Sequence, residues 1–302
     1  MKKLIASMIA GVCLSTAANA ATEITWWHAM GGNLGETVNA IAKDFNASQS
    51  DVILTPVYKG GYEDTMTAGI AAFRAGEQPH IIQIFDAGAA TIINAKGAVL
   101  PVEDLLSKHG VGFDKNNYIS GVRSFYADNA GKMVGMPFNS STPVMYYNKE
   151  AFKKSGLTLP PATWEDYEMR VAPALKKAGY IGLAQSHSPW IFSENFHSRH
   201  NLPMATNNNG FGGLETEILY NNDAMITHYS KLAEWQDKGY YKYFGRAWGD
   251  NQTAFVNQVV SIWLGSSGSF GGLKKSAEFE FGTTYLPYWH AITQEPTNTF
   301  IG

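Results

Sequence analysis

Cysteine is nearly missing from this 302-residue chain, charge is sparse, and only one long apolar run occurs. Each shortage excludes a class of protein. The single cysteine, Cys13, lies inside that run at the N-terminus, so the remainder can build no disulfide, thiolate nucleophile or cysteine metal site. A lipid anchor on Cys13 needs a small residue just before it, and Val12 stands there. Basic residues number 23 and acidic ones 26, which excludes the Lys and Arg excess that nucleic acids and anionic membrane surfaces require. Past the first twenty residues no apolar stretch is long enough to span a bilayer. There is no internal repeat and no low-complexity tract.

What is present begins with an export signal. Met1-Lys2-Lys3 is a basic start, residues 4–14 form an apolar core, and Ala18-Asn19-Ala20 is a small-x-small cleavage site. The pattern predicts a signal peptide over residues 1–20, a mature start near Ala21 and a periplasmic location. Without Lys2 and Lys3 the basic count falls to 21 against 26 acidic residues, a net charge of −5. A mature chain of about 280 residues has room for about two domains and a core that needs no cross-links.

Apolar strands and amphipathic helices alternate along it. Residues 23–28 read as a strand, Gly31-Gly32 as a turn, and Val38, Ile41, Ala42 and Phe45 as one face of a helix. Residues 52–57 form a second strand, where Pro56 points to an edge position. Met66, Ile70 and Phe73 have helical spacing, and residues 80–85 read as a third, nearly continuous apolar strand. This alternation predicts a mostly parallel sheet covered on both faces, with ligands gathering at the strands' carboxyl ends. The pattern restarts with a strand at 144–147, a short helix at 149–155 and a capped helix from Thr163 to about Ala178. A long helix at 223–238, strands at 261–264 and 278–286, and a flexible crossing segment at 265–272 complete it. The expected fold is α/β with two lobes.

Enzyme motifs fail one by one. In Gly265-Ser266-Ser267-Gly268-Ser269 the last glycine of a nucleophile elbow is replaced by Ser269, and Leu273 separates Gly272 from Lys274, so no phosphate loop forms. His197, His200 and the nearby Glu194 lack the H-E-x-x-H pattern and read as solvated loop residues. No cofactor or metal is called for. Recognition fits better, because 8 Trp, 15 Tyr and 16 Phe include several beside Gly, Asn or Ser at strand ends. Ring faces stack on polyol C–H groups while neighbouring hydroxyls and carboxylates take directed hydrogen bonds. Tyr62, on the Gly60-Gly61 turn, is one candidate. Asp86 ends the third strand and either accepts ligand hydroxyls or caps the next helix.

Gly60-Gly61-Tyr62-Glu63 with residues 68–74, the block Pro137-Phe138-Asn139-Ser140-Ser141-Thr142-Pro143, Tyr146-Tyr147-Asn148-Lys149, Asn208-Asn209-Gly210-Phe211 and Ser266-Ser267-Gly268-Ser269 together resemble a known family. It is the family of periplasmic sn-glycerol-3-phosphate-binding proteins of bacterial ABC importers, within extracellular solute-binding protein family 1. The resemblance implies the type II two-lobe periplasmic binding fold, with lobe I over 21–140, lobe II over 141–269 and a return to lobe I over 270–302. It implies capture of sn-glycerol 3-phosphate or a glycerophosphodiester in a cleft, without catalysis, for delivery to transmembrane permease subunits with a cytoplasmic ATPase. The family's ligand contacts fall on Tyr62, Asp86, Ser141 and Ser266, and one stacking tryptophan on Trp190. His187 stands where the family has its second tryptophan. Relatives continue past Gly302 and carry a phosphate-clamping arginine there, so a C-terminally truncated member is expected. Arg74, Arg123 and Arg170 read as helix or surface charges rather than substitutes for it. A sugar or oligosaccharide receptor of the same fold is the alternative, and a secreted hydrolase with paired carboxylates a second one.

Overall fold

A computed structural model describes residues 20–299, apart from 94, 96, 211, 213, 214, 246 and 247, and apart from the side chains of 86, 87, 90 and 93. The expected signal peptide lies, but for Ala20, outside the described residues. The chain divides into two compact units, Met1–Ile84 and Phe85–Gly302.

In the first unit, strand β1 (Thr22–His28), helix α1 (Gly32–Ser48), strand β2 (Val52–Tyr58), helix α2 (Tyr62–Ala75) and strand β3 (Ile81–Ile82) follow one another. They build a parallel sheet in the order β2-β1-β3, as alternation of strand and helix requires. Pro56 does sit on an edge strand, paired with Trp26, where a missing N–H does least harm. The outer edge of β2 is tied off by Asn46 of α1, whose amide takes both the N–H and the carbonyl of Leu54, at 2.8 and 3.0 Å. The third strand is shorter than expected: only Ile81 and Ile82 pair, with Trp26 and Trp27. So narrow a sheet covers only part of the α1 stripe. Val38 and Ala42 are buried, while Ile41 and Phe45 are 48% and 41% exposed.

The second unit opens with helices α3 (Asp86–Ile93), α4 (Val102–Lys108) and α5 (Ser120–Phe125), then strand β4 (Pro143–Asn148) and helix α6 (Lys149–Lys154). Helix α7 (Trp164–Asp166) continues through a wide turn at Tyr167–Val171 into α8 (Ala172–Lys177), capped at its start by the Thr163 hydroxyl. Strand β5 (Ile181–Gln185), helices α9 (Asn195–Arg199), α10 (Thr206–Asn209), α11 (Asp223–Asp237) and α12 (Trp248–Val256), strand β6 (Val260–Ser266), helix α13 (Phe270–Ser276) and strand β7 (Phe281–Thr284) complete it. Its sheet runs β5-β6-β4-β7 and is mixed, which corrects the expectation of a parallel one: β5 and β6 are parallel, while β4 runs against both β6 and β7. The segment 265–272 is also not a free crossing. It finishes β6, makes one tight turn at Ser267–Ser269 and enters α13.

Trp164, Tyr167, Phe192, Trp235 and Trp289 form the centre of this unit's core, with Trp235 and Trp289 stacked at 5.9 Å. His197 and His200 belong to that core as well, which corrects the solvated reading: they are 0% and 2% exposed, the first on α9 and the second at its C-terminal cap. Both rings are fully engaged. His197 bonds the Ser193 carbonyl and Asn222, and His200 bonds the Phe196 carbonyl and the Trp289 N–H. Among the described residues no group of three or more His, Cys, Asp or Glu side chains is placed to hold a metal. Nor is any described helix long and apolar enough to cross a membrane.

Candidate ligand-binding site

In the first unit the carboxyl ends of the parallel strands carry His28, Tyr58 and Gln83. The Gln83 side-chain oxygen accepts the Ala29 N–H at 2.9 Å and its own N–H reaches the Trp27 carbonyl, so the β1 and β3 ends are locked together. His28 is buried, accepts the Met30 N–H and is held neutral because burial lowers its pKa. Trp26 is core, and the Lys59 ammonium sits 3.8 Å from the centre of the Trp27 ring.

The turn before Tyr62 is geometrically determined. Gly60 has φ +96°, and a Cβ there would lie 2.7 Å from the Asp64 carboxylate. That carboxylate accepts the Gly61 N–H at 3.0 Å and starts α2 with Tyr62 as its first residue. The half-buried Tyr62 ring packs on Trp26, Met30 and Val38. Gly60→Ala is expected to lower stability by about 1–3 kcal/mol. Gly61→Ala, whose Cβ meets Asp64 only at 3.6 Å and whose φ is −68°, is expected to be nearly neutral. Urea midpoints check both, and equal effects would contradict this account of the turn.

In the second unit Ser141 and Ser266 are brought together. β4 starts where β6 ends, with Pro143 opposite Ser266. The Thr142 carbonyl accepts the Ser267 N–H at 2.8 Å, and the Ser267 hydroxyl accepts the Thr142 N–H at 3.1 Å. Ser266 Oγ accepts the Gly268 N–H at 3.0 Å, which leaves its own proton to donate. A Cβ on Gly268 would touch the Ser141 Cβ at 3.8 Å. From beneath, the buried Tyr146 hydroxyl donates to the Ser266 carbonyl at 2.8 Å, and burial raises its pKa so that it keeps its proton.

The end of β5 reaches the same edge, because Gln185 pairs with Leu264. Its polar cluster, Gln185, Ser186 and Ser188, escapes the sequence reading altogether. Ser186 Oγ donates to the Trp248 carbonyl and accepts the Trp263 indole N–H, both at 3.0 Å, and Gln185 donates to Ser188 at 2.7 Å. The one available signal is a polar run directly after a strand. His187 follows with φ +46° and its ring edge against Phe85. Trp190 is 5% exposed and packs in the core, a supporting position rather than an open stacking wall. Asp86 is the first residue of α3, and its side chain lies outside the described residues. Of the five expected residues, then, Ser141 and Ser266 meet, Trp190 lies in the core of the same unit, and Tyr62 belongs to the other unit.

A family model for bacterial extracellular solute-binding proteins matches residues 31–294. The sn-glycerol-3-phosphate-binding periplasmic protein UgpB of Pectobacterium atrosepticum is 40% identical over 98% of this chain and 67% of its own length. That of Yersinia pseudotuberculosis is 40% identical over 95% and 66%. The chain thus spans about two thirds of the length of these relatives. Among solved structures, UgpB from Mycobacterium tuberculosis in complex with glycerophosphocholine superposes with a TM-score of 0.69 at 21% identity, covering 89% of this chain and 66% of that one. The GacH receptor of Streptomyces glaucescens, solved unliganded and with acarbose, gives 0.76 at 18% identity, covering 90% and 68%. Likenesses at such identity carry the fold alone, and that fold is the two-lobed periplasmic receptor expected from the sequence.

Proposed function

The chain belongs to the bacterial extracellular solute-binding protein family, and on that premise we propose that it is the periplasmic receptor of an ABC importer for sn-glycerol 3-phosphate or a glycerophosphodiester. It hands this solute to transmembrane permease subunits driven by a cytoplasmic ATPase, and no bond is made or broken. The observation that carries the reading is the meeting of Ser141 and Ser266 at one sheet edge, in a chain 40% identical to receptors named for glycerol 3-phosphate. Two hydroxyls beside a Gly- and Ser-rich turn offer directed donors without a carboxylate, which suits a phosphate. In this reading Tyr62 and Asp86 serve the glycerol end, since a carboxylate would repel the phosphate. The lobe bounds 21–140 and 141–269 belong to this proposal, whereas residues 281–289 pack in the sheet and core of the second unit rather than returning to the first.

Titration calorimetry with sn-glycerol 3-phosphate, glycerophosphocholine and maltose tests this. The phosphate-bearing ligands are expected to bind, and Ser141→Ala and Ser266→Ala each to weaken them about tenfold or more, the value of a hydrogen bond to a charged group. Binding of maltose alone would establish the second reading, an oligosaccharide receptor of the same fold.

A further inference from the structure

Within the second unit, a cavity of about 350 Å³ is bounded by α5 and the loop that follows it on one side and by Asn208 of α10 on the other. Its lining includes Arg123, Ser124, Asp128 and Asn129. The cations around it are already matched: Lys132 to Asp104 at 2.9 Å and Lys115 to Glu103 at 3.2 Å. Arg123 differs. Among the described residues no carboxylate lies within ion-pair distance of it, and its recorded partner is the neutral Asn116 side-chain oxygen, at 2.6 Å. Most of its five N–H donors are therefore left over. Asp128 turns one carboxylate oxygen to the Ala130 and Lys132 N–H groups, so it closes the loop.

Asn208 arrives by an unusual backbone. Residues 207–209 all have positive φ, at 54°, 57° and 54°, before Gly210 at 86°. Three consecutive non-glycine residues in that region are costly even for asparagine, and such strain collects where a backbone must present a group to a ligand. Asn209 holds the run by accepting the Met204 and Ala205 N–H groups. Arg123 does lie on a helix, as the sequence suggests, and is partly exposed.

We propose that this cavity is an anion site for a phosphate monoester or free phosphate, gripped by the Arg123 guanidinium and the Asn208 amide. A planar guanidinium with spare donors and no ion pair is matched to a tetrahedral oxyanion, the Asp128 carboxylate on the same lining has one oxygen taken by two loop N–H groups, and the volume admits a small ligand but not an oligosaccharide. Its lining shares no residue with the Ser141 and Ser266 edge, and the proposal does not depend on the function proposed there. The test is a ¹H–¹⁵N titration of the full chain, following the Arg123 Nε–H and Asn208 side-chain signals. Inorganic phosphate should move both signals together with one dissociation constant. Arg123→Gln and Asn208→Asp, the latter keeping the backbone preference while adding repulsion, should each raise that constant at least tenfold. A parallel titration with sn-glycerol 3-phosphate distinguishes an organic monoester from the free anion. Unmoved signals at saturating phosphate, or unchanged constants in both variants, would overturn the proposal. Because the signals are local, a protein that binds phosphate here but neither glycerol 3-phosphate nor glycerophosphocholine anywhere would refute the receptor reading and leave this one standing.

Discussion

Trp263→Ala is expected to cost about 3–5 kcal/mol of unfolding free energy, the range for truncating a buried tryptophan, and to disable ligand capture with it. Trp263 is fully buried in the middle of β6. Its ring stacks on Tyr146 at 5.3 Å and meets Trp248 edge-on at 5.8 Å, while its indole N–H donates to Ser186. Each neighbour leads to the candidate site. Tyr146 holds the Ser266 carbonyl, and Ser186 closes the end of β5 against Trp248. Removing the ring opens a cavity under Ser266 and frees three supports together. Trp263→Phe separates the two contributions, since it keeps most of the packing and forfeits one hydrogen bond, worth about 1 kcal/mol. Urea unfolding followed by calorimetry on the folded fraction checks both. A Trp263→Ala protein within 1 kcal/mol of the parent would show that this cluster is not the keystone of the edge.

The local elements are legible in the sequence because their signals are local. β1 and β2 stand out as apolar runs each followed by a double-glycine turn, and α11 is framed by the Asn222 cap and Gly239 at φ +68°. What the residues hide is pairing. β4 finds its partners more than a hundred positions later, at 262–266 and 281–284, and nothing in an apolar run says which way its neighbour points. The mixed sheet follows from that blindness. β5 hides for another reason: Gly182 and Ala184 have weak strand preference, and Gly182 through Gln185 are buried without alternation. Missing β5 also meant missing Gln185, Ser186 and Ser188, which a strand-end rule would otherwise mark.

For the site, Ser141 and Ser266 are found by motif, and their closeness depends on the same long-range pairing. Trp190 shows the limit of carrying a role over by motif. The motif points to it, but the ring is 5% exposed. His197 and His200 show the limit of composition. A polar residue at a helical position looks solvated unless its partners are known, and here the partners are backbone groups and Asn222.

Acid is expected to destabilise this protein through two buried rings, His200 and, on α11, the fully buried His228. His200 Nδ1 faces the Phe196 carbonyl, which can only accept, so Nδ1 carries the proton and bare Nε2 accepts the Trp289 N–H at 2.7 Å. His228 Nδ1 accepts the Trp289 indole N–H at 3.1 Å and must also be bare. The chain His200–Trp289–His228 therefore requires two neutral imidazoles. Protonating either places an N–H against an N–H in the core. Burial accordingly pushes His200 down to about 4 and His228 to about 3, from an ordinary value of 6.5. For His200, Arg199 and His197 add to the fall, and Glu165 opposes it. Above pH 6.5 both rings are neutral whether folded or unfolded, and this source of stability is intact. As pH drops below 6.5 the unfolded chain takes up protons that the fold refuses, and each histidine withdraws about 1.4 kcal/mol per pH unit until its folded value is reached. By pH 4 the two together remove on the order of 5 kcal/mol, much of the margin of an ordinary domain. His228→Phe should be weaker at pH 7, because Trp289 loses its acceptor, yet flatter between pH 6 and 4.5 by about 1.4 kcal/mol per unit. Urea unfolding across that range measures the slope. Parallel slopes for parent and variant would mean that His228 is already charged in the fold, which the Trp289 hydrogen bond forbids.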